Sequence, residues 1–467
     1  MIALALAGAL LSSGCDGALC NGQVLAPFFA KLARQGPGVA GRPVHILQIG
    51  DSHTAGDAIS GGWRTLLQTR YGSGGRGVLP PGRPYDGFTT HGVSVSMSPG
   101  WKINADFGAA WSSPSPPLGL SAFSLTSQTD GASMSLIADA TEMFDRFTVC
   151  AIAQPGAGSL TLNAGMDNVG FNLSSPSTRP ECKTMRLAQP ANNAGVTVSG
   201  GPVTITSWAT FRDSGGVVLS NLGVVGSQLI HFQRTEDSVL AQELSEYRPD
   251  LIVIAFGTNE GFSPHFSKFE YEIILRTEIG RLRRLAGNVP ILLLGAPDAL
   301  SRRAEMRNNA DIGPSEACGP TQSVAIASAP PAPAPTPAAP AQQSGVIASI
   351  MDRLRDSLGM TQPDQSAAAQ PAPPTVVATP SSSSSSRGPL FPPPALKAVR
   401  EVQRNVATSL HVAFWDWEAR MGGRCTADAW YHANPPLMRS DYVHYTSAGG
   451  AEIAKRLQAD LDRAASK

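Results

Sequence analysis

The chain has no excess of charge of either sign. Its 467 residues hold 36 Lys plus Arg against 36 Asp plus Glu, and only 15% of them are charged. A protein held on nucleic acid through phosphate contacts needs a basic excess, so no nucleic-acid partner is expected. Cysteine is scarce at six residues, and none falls in a Cys-x-x-Cys pair, so zinc and thiol-redox motifs lack their spacing. His45, His91, His231, His265, His411 and His432 show no metal-ligand spacing either. No metal and no other cofactor is expected. Long apolar runs are also missing: no segment approaches the roughly 20 residues of a transmembrane helix. What remains is 42% apolar, enough for a real core, together with 47 glycines and 38 prolines that mark much loop.

The longest early apolar run, in Met1–Cys15 (MIALALAGALLSSGC), fits the core of an export signal. Ser13-Gly14-Cys15 resembles the end of a bacterial lipobox, which makes Cys15 a candidate for lipidation. An ordinary cleaved signal is the other reading. The chain is therefore expected to be exported, to the periplasm or cell envelope, with an outer-membrane lipoprotein as one form. In that setting Cys150 with Cys182 and Cys318 with Cys425 are disulfide candidates.

Val44–Ile49 and Leu251–Phe256 are short apolar runs, each ending in a glycine-containing turn and followed by a helical pattern. Pro290–Gly295 and Val412–Trp417 read as further strands, and Lys268–Ala286, Ala395–Leu410 and Ser447–Ala464 as helices. Strands apolar on both faces that alternate with helices indicate an α/β fold with a covered parallel sheet, whose ligands sit at the carboxyl ends of the strands. Residues 89–213 break this rhythm with short Ser/Thr/Val/Gly runs, the texture of an inserted all-β sandwich. Residues 319–392 hold 14 of the 38 prolines and the run Ser381–Ser386, and are read as a disordered linker. The sheet domain is then discontinuous: 25–88, 214–318 and 393–467.

Three strand-end motifs carry the chemistry. Gly50-Asp51-Ser52-His53 follows the first strand and presents a serine on a tight turn, as a nucleophile requires; such a turn also makes a plain helix cap. Gly257-Thr258-Asn259-Glu260 ends the most apolar strand, where an Asn amide can face a developing oxyanion or simply form a turn. Asp441-Tyr442-Val443-His444 precedes the last helix, and its three-residue spacing lets a carboxylate orient an imidazole. An unrelated capping Asp and surface His give the same string. The joint occurrence of all three is far less expected by accident than any one alone.

These blocks resemble the GDSL/SGNH esterase superfamily. The resemblance implies a three-layer SGNH-type parallel sheet, Ser52 as nucleophile, His444 as general base and Asp441 as its orienter. It also implies an oxyanion hole of the Ser52 amide, a glycine amide and the Asn259 side chain. Within Val217–Ser227, Gly226 matches better than Gly223 because a small residue follows it. Gln48–Asp57 (QIGDSHTAGD), Arg70–Gly77 (RYGSGGRG), the GTNE block and Phe414–Gly423 (FWDWEARMGG) look like bacterial peptidoglycan O-acetylesterases of the Ape type. Those enzymes carry a β-sandwich insert resembling a carbohydrate-binding module.

The implied activity is removal of acetyl from the C6 hydroxyl of N-acetylmuramic acid through an acyl-Ser52 intermediate. Alternatives are acetyl transfer by the same triad, esterase action on another acetylated polysaccharide, and a silent glycan-binding lipoprotein. The expected partner is an acetylated polysaccharide, and the chain is taken as a monomer. His53 is read as structural, Asp57 as a brace of the first helix, and Trp63, Trp415 and Trp417 as core. Trp430 and Tyr431, shortly before Asp441, are candidates for lining the substrate cleft.

Overall fold

The structure, a computed structural model, describes residues 14–88, 90–113, 115–302, 312, 316–319 and 388–467. The expected export segment and the expected linker lie outside the described residues except at their ends. The centre is a seven-stranded sheet in the order Cys15–Asp16, Leu19–Cys20, Ala413–Trp415, Ile291–Leu294, Leu251–Ala255, Val44–Gly50, Val217–Gly223. The last five strands run parallel, and the first two form an antiparallel hairpin on the edge. Every residue of Val44–Gly50 and of Leu251–Ala255 is buried, as unbroken apolar strands require when both faces are covered.

Phe414 and Trp415 mark the two faces, because neighbouring side chains on a strand point opposite ways. Phe414 joins a cluster with Ile252, Ile254 and Leu293, covered by helices Asp237–Tyr247, Lys268–Ala286 and Leu396–Ser409. The Trp415 indole turns to the other face and donates to Asp460 Oδ2 at 2.8 Å, on helix Ser447–Ala465. That helix lies beside Ala58–Tyr71, where the Trp63 indole donates to Gln458 Oε1 at 2.7 Å. Helices thus cover both sides of the sheet.

A pair of antiparallel sheets occupies the expected insert. One follows the order Asp167–Asn172, Ser159–Ala164, Asn193–Ser199, Ser133–Ala138, Val93–Met97; the other runs Arg179–Ala191, Phe144–Ala153, Val203–Phe211, Phe123–Ser127, Trp101–Ala105. Inward residues of both, among them Met134, Leu162, Val149 and Trp208, form one core, which is what alternating strands predict for a sandwich. Gly77–Leu79, ahead of residue 89, adds to the second sheet by pairing with Trp208–Thr210. The sandwich docks on helix Asp237–Tyr247 through buried polar contacts. Glu243 accepts from Thr206 Oγ1, Ser207 Oγ and the Leu120 amide at 2.5–2.6 Å.

Cys150–Cys182 and Cys318–Cys425 are bonded, as expected. Cys15 departs from expectation. It is bonded to Cys20 and closes the edge hairpin. The lipidation expected at Cys15 would need the same sulfur, which stands in the disulfide here. Among the described residues no helix is long and apolar enough to cross a membrane.

Candidate active site

The Val44–Gly50 strand lies between Val217–Gly223 and Leu251–Ala255, so the turns after these three parallel strands converge on one edge. Gly50 is required there: a Cβ would stand 2.3 Å from Thr54 Oγ1 and 2.5 Å from the Ala255 carbonyl. Asp51 caps the short helix Ser52–Ala55 by accepting from the His53 amide at 2.9 Å. The cap leaves the Ser52 hydroxyl free to turn toward the loop ahead of the last helix.

From that loop His444 Nε2 reaches Ser52 Oγ at 2.9 Å, and His444 Nδ1 lies 2.9 Å from Asp441 Oδ2. Asp441 Oδ1 accepts the amides of Val443 and His444, each at 2.9 Å. Partial burial raises the pKa of this carboxyl, but the bonds from the His444 ring and the two amides outweigh it and hold it well below the usual carboxylate range. An ionised carboxylate only accepts, so Nδ1 carries the proton and the Nε2 lone pair faces the Ser52 hydroxyl. That is the tautomer a general base needs. The His444 side chain is 37% exposed, so the relay is open to a substrate.

The oxyanion candidates sit on the two flanking strand ends. Gly226 has φ +80°, and a Cβ there would stand 2.8 Å from Phe107 Cε1, so only glycine fits. Neither the Ser52 nor the Gly226 amide donates to an acceptor among the described residues. Asn259 Nδ2 donates to the Ser227 carbonyl at 2.8 Å, which spends one of its two N–H groups. The expected set Ser52, Asp441, His444, Gly226 and Asn259 is thus gathered from four separate turns.

Trp430 is corrected: it is 1% exposed, its indole donates to the Met421 carbonyl at 2.9 Å, and its ring meets Tyr445 edge-on. A side chain so enclosed packs and cannot line a cleft. Tyr431 is half-buried and lies against Tyr442, ring centroids 5.0 Å apart, supporting the loop that carries Asp441. Asp57 does brace the helix it precedes, binding Ser60 Oγ and the buried Arg64 at 2.7 Å each. Trp63, Trp415 and Trp417 are buried, as expected.

Three buried groups around the site carried no sequence signal of their geometry. His53 spans Asp51 Oδ1 at 3.3 Å and the Val443 carbonyl at 2.9 Å, with its ring 5.4 Å from that of His444. Burial presses its pKa down, but the Asp51 carboxylate and the Val443 carbonyl leave it above the ordinary value. This fits its structural reading and ties the nucleophile turn to the His444 loop. Glu260 is pushed up to about 7 by burial; its Oε1 accepts the Leu229 amide at 2.8 Å. Asp106, from the β insert, is also raised to about 7 by burial and accepts from Ser227 Oγ at 3.2 Å. Among the described residues no group of three or more His, Cys, Asp or Glu is placed to hold a metal ion.

The Ser–His–Asp relay thus sits at the strand ends of the parallel sheet of an α/β fold. A peptidoglycan O-acetylesterase structure matches at 22% identity and TM-score 0.66, over 96% of this chain and 99% of that one; the likeness is one of fold. A family two carbohydrate esterase from Cellvibrio japonicus aligns at 14% identity and TM-score 0.17, over 44% of this chain and 79% of its own. A Clostridium stercorarium carbohydrate-binding module, solved with cellobiose, aligns at 16% identity and TM-score 0.19, over 30% and 97%. Neither of these two adds to the argument at such scores. No protein-family model matches the chain, and no curated protein matches it.

Proposed function

We propose that the protein is a serine esterase of the SGNH/GDSL type that removes O-acetyl groups from a cell-wall polysaccharide. The proposed substrate is peptidoglycan acetylated at the C6 hydroxyl of N-acetylmuramic acid. The observation that carries this reading is the Asp441–His444–Ser52 relay, with both contacts at 2.9 Å, beside two unclaimed amides. A fold shared along 96% of the chain with a peptidoglycan O-acetylesterase supports the substrate class. Three disulfides support an oxidising, extracytoplasmic setting.

In this mechanism His444 Nε2 takes the Ser52 proton as Oγ attacks the acetyl carbonyl, and Asp441 stabilises the imidazolium that forms. The oxyanion is met by the Ser52 amide, the Gly226 amide and the second N–H of Asn259. Preorganised donors of this kind contribute roughly 3–4 kcal/mol each. The sugar hydroxyl leaves with the proton from His444. Water, activated by the same imidazole, then releases acetate from acyl-Ser52. The β insert holds the glycan so that one ester is presented to Ser52.

The test is acetate release from O-acetylated peptidoglycan, with acetylated xylan beside it, by wild type and Ser52→Ala. Release from peptidoglycan that vanishes in the variant is expected. Release from xylan alone would move the substrate, and release that survives Ser52→Ala would sink the mechanism.

A further inference from the structure

Val224–Glu236, the stretch that carries Gly226, is held from two sides. On one side are the contacts of the Thr258–Gly261 turn. Asn259 Nδ2 donates to the Ser227 carbonyl at 2.8 Å, Gln228 Nε2 donates to the Asn259 carbonyl at 3.1 Å, and Glu260 accepts the Leu229 amide. On the other side lie residues 106–113 and 115–118 of the β insert. Ser227 Oγ donates to Asp106 Oδ2 at 3.2 Å, and Arg234 Nη1 donates to the Asp106 carbonyl. The Phe107 ring stacks on His231, centroids 4.5 Å apart and 18° from parallel, and fills the space beside Gly226. The Arg234 guanidinium lies 4.3 Å over Trp111, and the Glu236 amide donates to the Leu118 carbonyl at 2.9 Å.

Ser227 is where the two sides meet. Its hydroxyl has Asp106 Oδ2 of the insert as its nearest acceptor, at 3.2 Å against 3.3 Å for the Gln228 carbonyl and 3.5 Å for His231 Nδ1, and its carbonyl accepts from Asn259, while its neighbour Gly226 offers the amide. Asp106 is 1% exposed and its Oδ1 has no hydrogen-bond partner among the described residues. A buried carboxyl with an unmet oxygen is costly in free energy and calls for a reason to be retained.

We propose that Asp106 is a positioning residue for the oxyanion hole, acting through Ser227 to hold the Gly226 amide and the Asn259 side chain in register with Ser52. The inserted sandwich then takes part in the ester chemistry itself, besides holding glycan. This rests on the serine esterase reading given above.

The experiment uses p-nitrophenyl acetate, a soluble ester too small to need the glycan surface. Values of kcat and KM are measured for the full chain, for Ser52→Ala, Asp106→Ala, Asp106→Asn and Ser227→Ala, and for the double variant of the two alanines, each with its melting temperature. Asp106→Ala is expected to lower kcat by between roughly tenfold and a hundredfold, the scale of misplaced donors, with KM within about twofold. Asp106→Asn, which keeps an acceptor for Ser227 Oγ, restores most of that loss. The double variant is no worse than the poorer single one, because both remove the same contact. An unchanged kcat in Asp106→Ala overturns the proposal while leaving the esterase standing, and so does an Asn variant as poor as Ala. If Asp106→Ala does not fold, the Asn and Ser227→Ala variants decide alone, and a wild-type kcat in Ser227→Ala overturns it. A wild type inert on the ester, or activity that survives in Ser52→Ala, brings down the esterase reading and this inference together.

Discussion

Glu260 offers the sharpest physical test of the site's construction, because its burial sets a definite pH dependence of stability. The carboxyl is held at about 7 against an ordinary value of 4.5, with burial the leading cause and the Asp51 charge adding to it. Between these two pH values the folded chain keeps a proton that the unfolded chain has already lost. The contribution to stability is therefore full below pH 4.5 and is lost as pH rises through 7. At 1.36 kcal/mol per unit of pKa, the loss from pH 4 to pH 8 is about 3 kcal/mol. Glu260→Gln keeps an acceptor for the Leu229 amide, which Glu260 Oε1 receives at 2.8 Å, but cannot ionise. Urea unfolding of wild type and variant, at unit steps from pH 4 to pH 8, isolates the group, since every other titration is common to both. The variant should gain about 3 kcal/mol on the wild type across that range, most of it above pH 5. A stability difference that does not move with pH would refute the reasoning, because it would mean that the carboxyl ionises in the fold without cost.

Other outcomes follow from the same geometry. Asp441→Asn places an amide where His444 Nδ1 needs an acceptor, so kcat should fall by roughly a hundredfold or more with KM little changed. Side-chain exposure of 47% at Asp441 lets water restore part of the loss, which puts the effect toward the smaller end. Trp430→Ala empties a core position and should cost about 3–5 kcal/mol in unfolding free energy. A raised KM with an unchanged melting temperature would instead return Trp430 to the substrate cleft.

Of the Ser52–His444–Asp441 relay, the three-residue spacing from Asp441 to His444 is local and was legible in the residues, whereas the pairing of His444 with Ser52 across 392 residues was expected only through the family resemblance. The strands Val44–Gly50 and Leu251–Ala255 and the helix Lys268–Ala286 were legible for the related reason that burial on both faces, or on one helical stripe, leaves a periodic pattern. Other features depend on contacts that no local pattern encodes. Two-residue strands leave no period to read, so the Cys15–Cys20 hairpin was invisible and Cys15 was read by its flanks. Trp430 stands close to Asp441 in sequence, and only the packing of Tyr445 and Met421 around it shows that it faces inward. Asp106 meets Ser227 across 121 residues and a domain insertion. A lone acid in a loop gives no hint of such a partner.

The central claim is a covalent one, so the most direct measurement is to look for the covalent species. Wild type mixed with an excess of acetyl ester, quenched in acid within the first turnovers and digested, is examined by mass spectrometry for an acetylated peptide. The account predicts one acetyl group on the peptide that contains Ser52, absent from Ser52→Ala and more abundant in Asp441→Asn if its deacylation is the slower step. Steady ester hydrolysis with no acetyl on Ser52, or with the acetyl on another side chain, would contradict it.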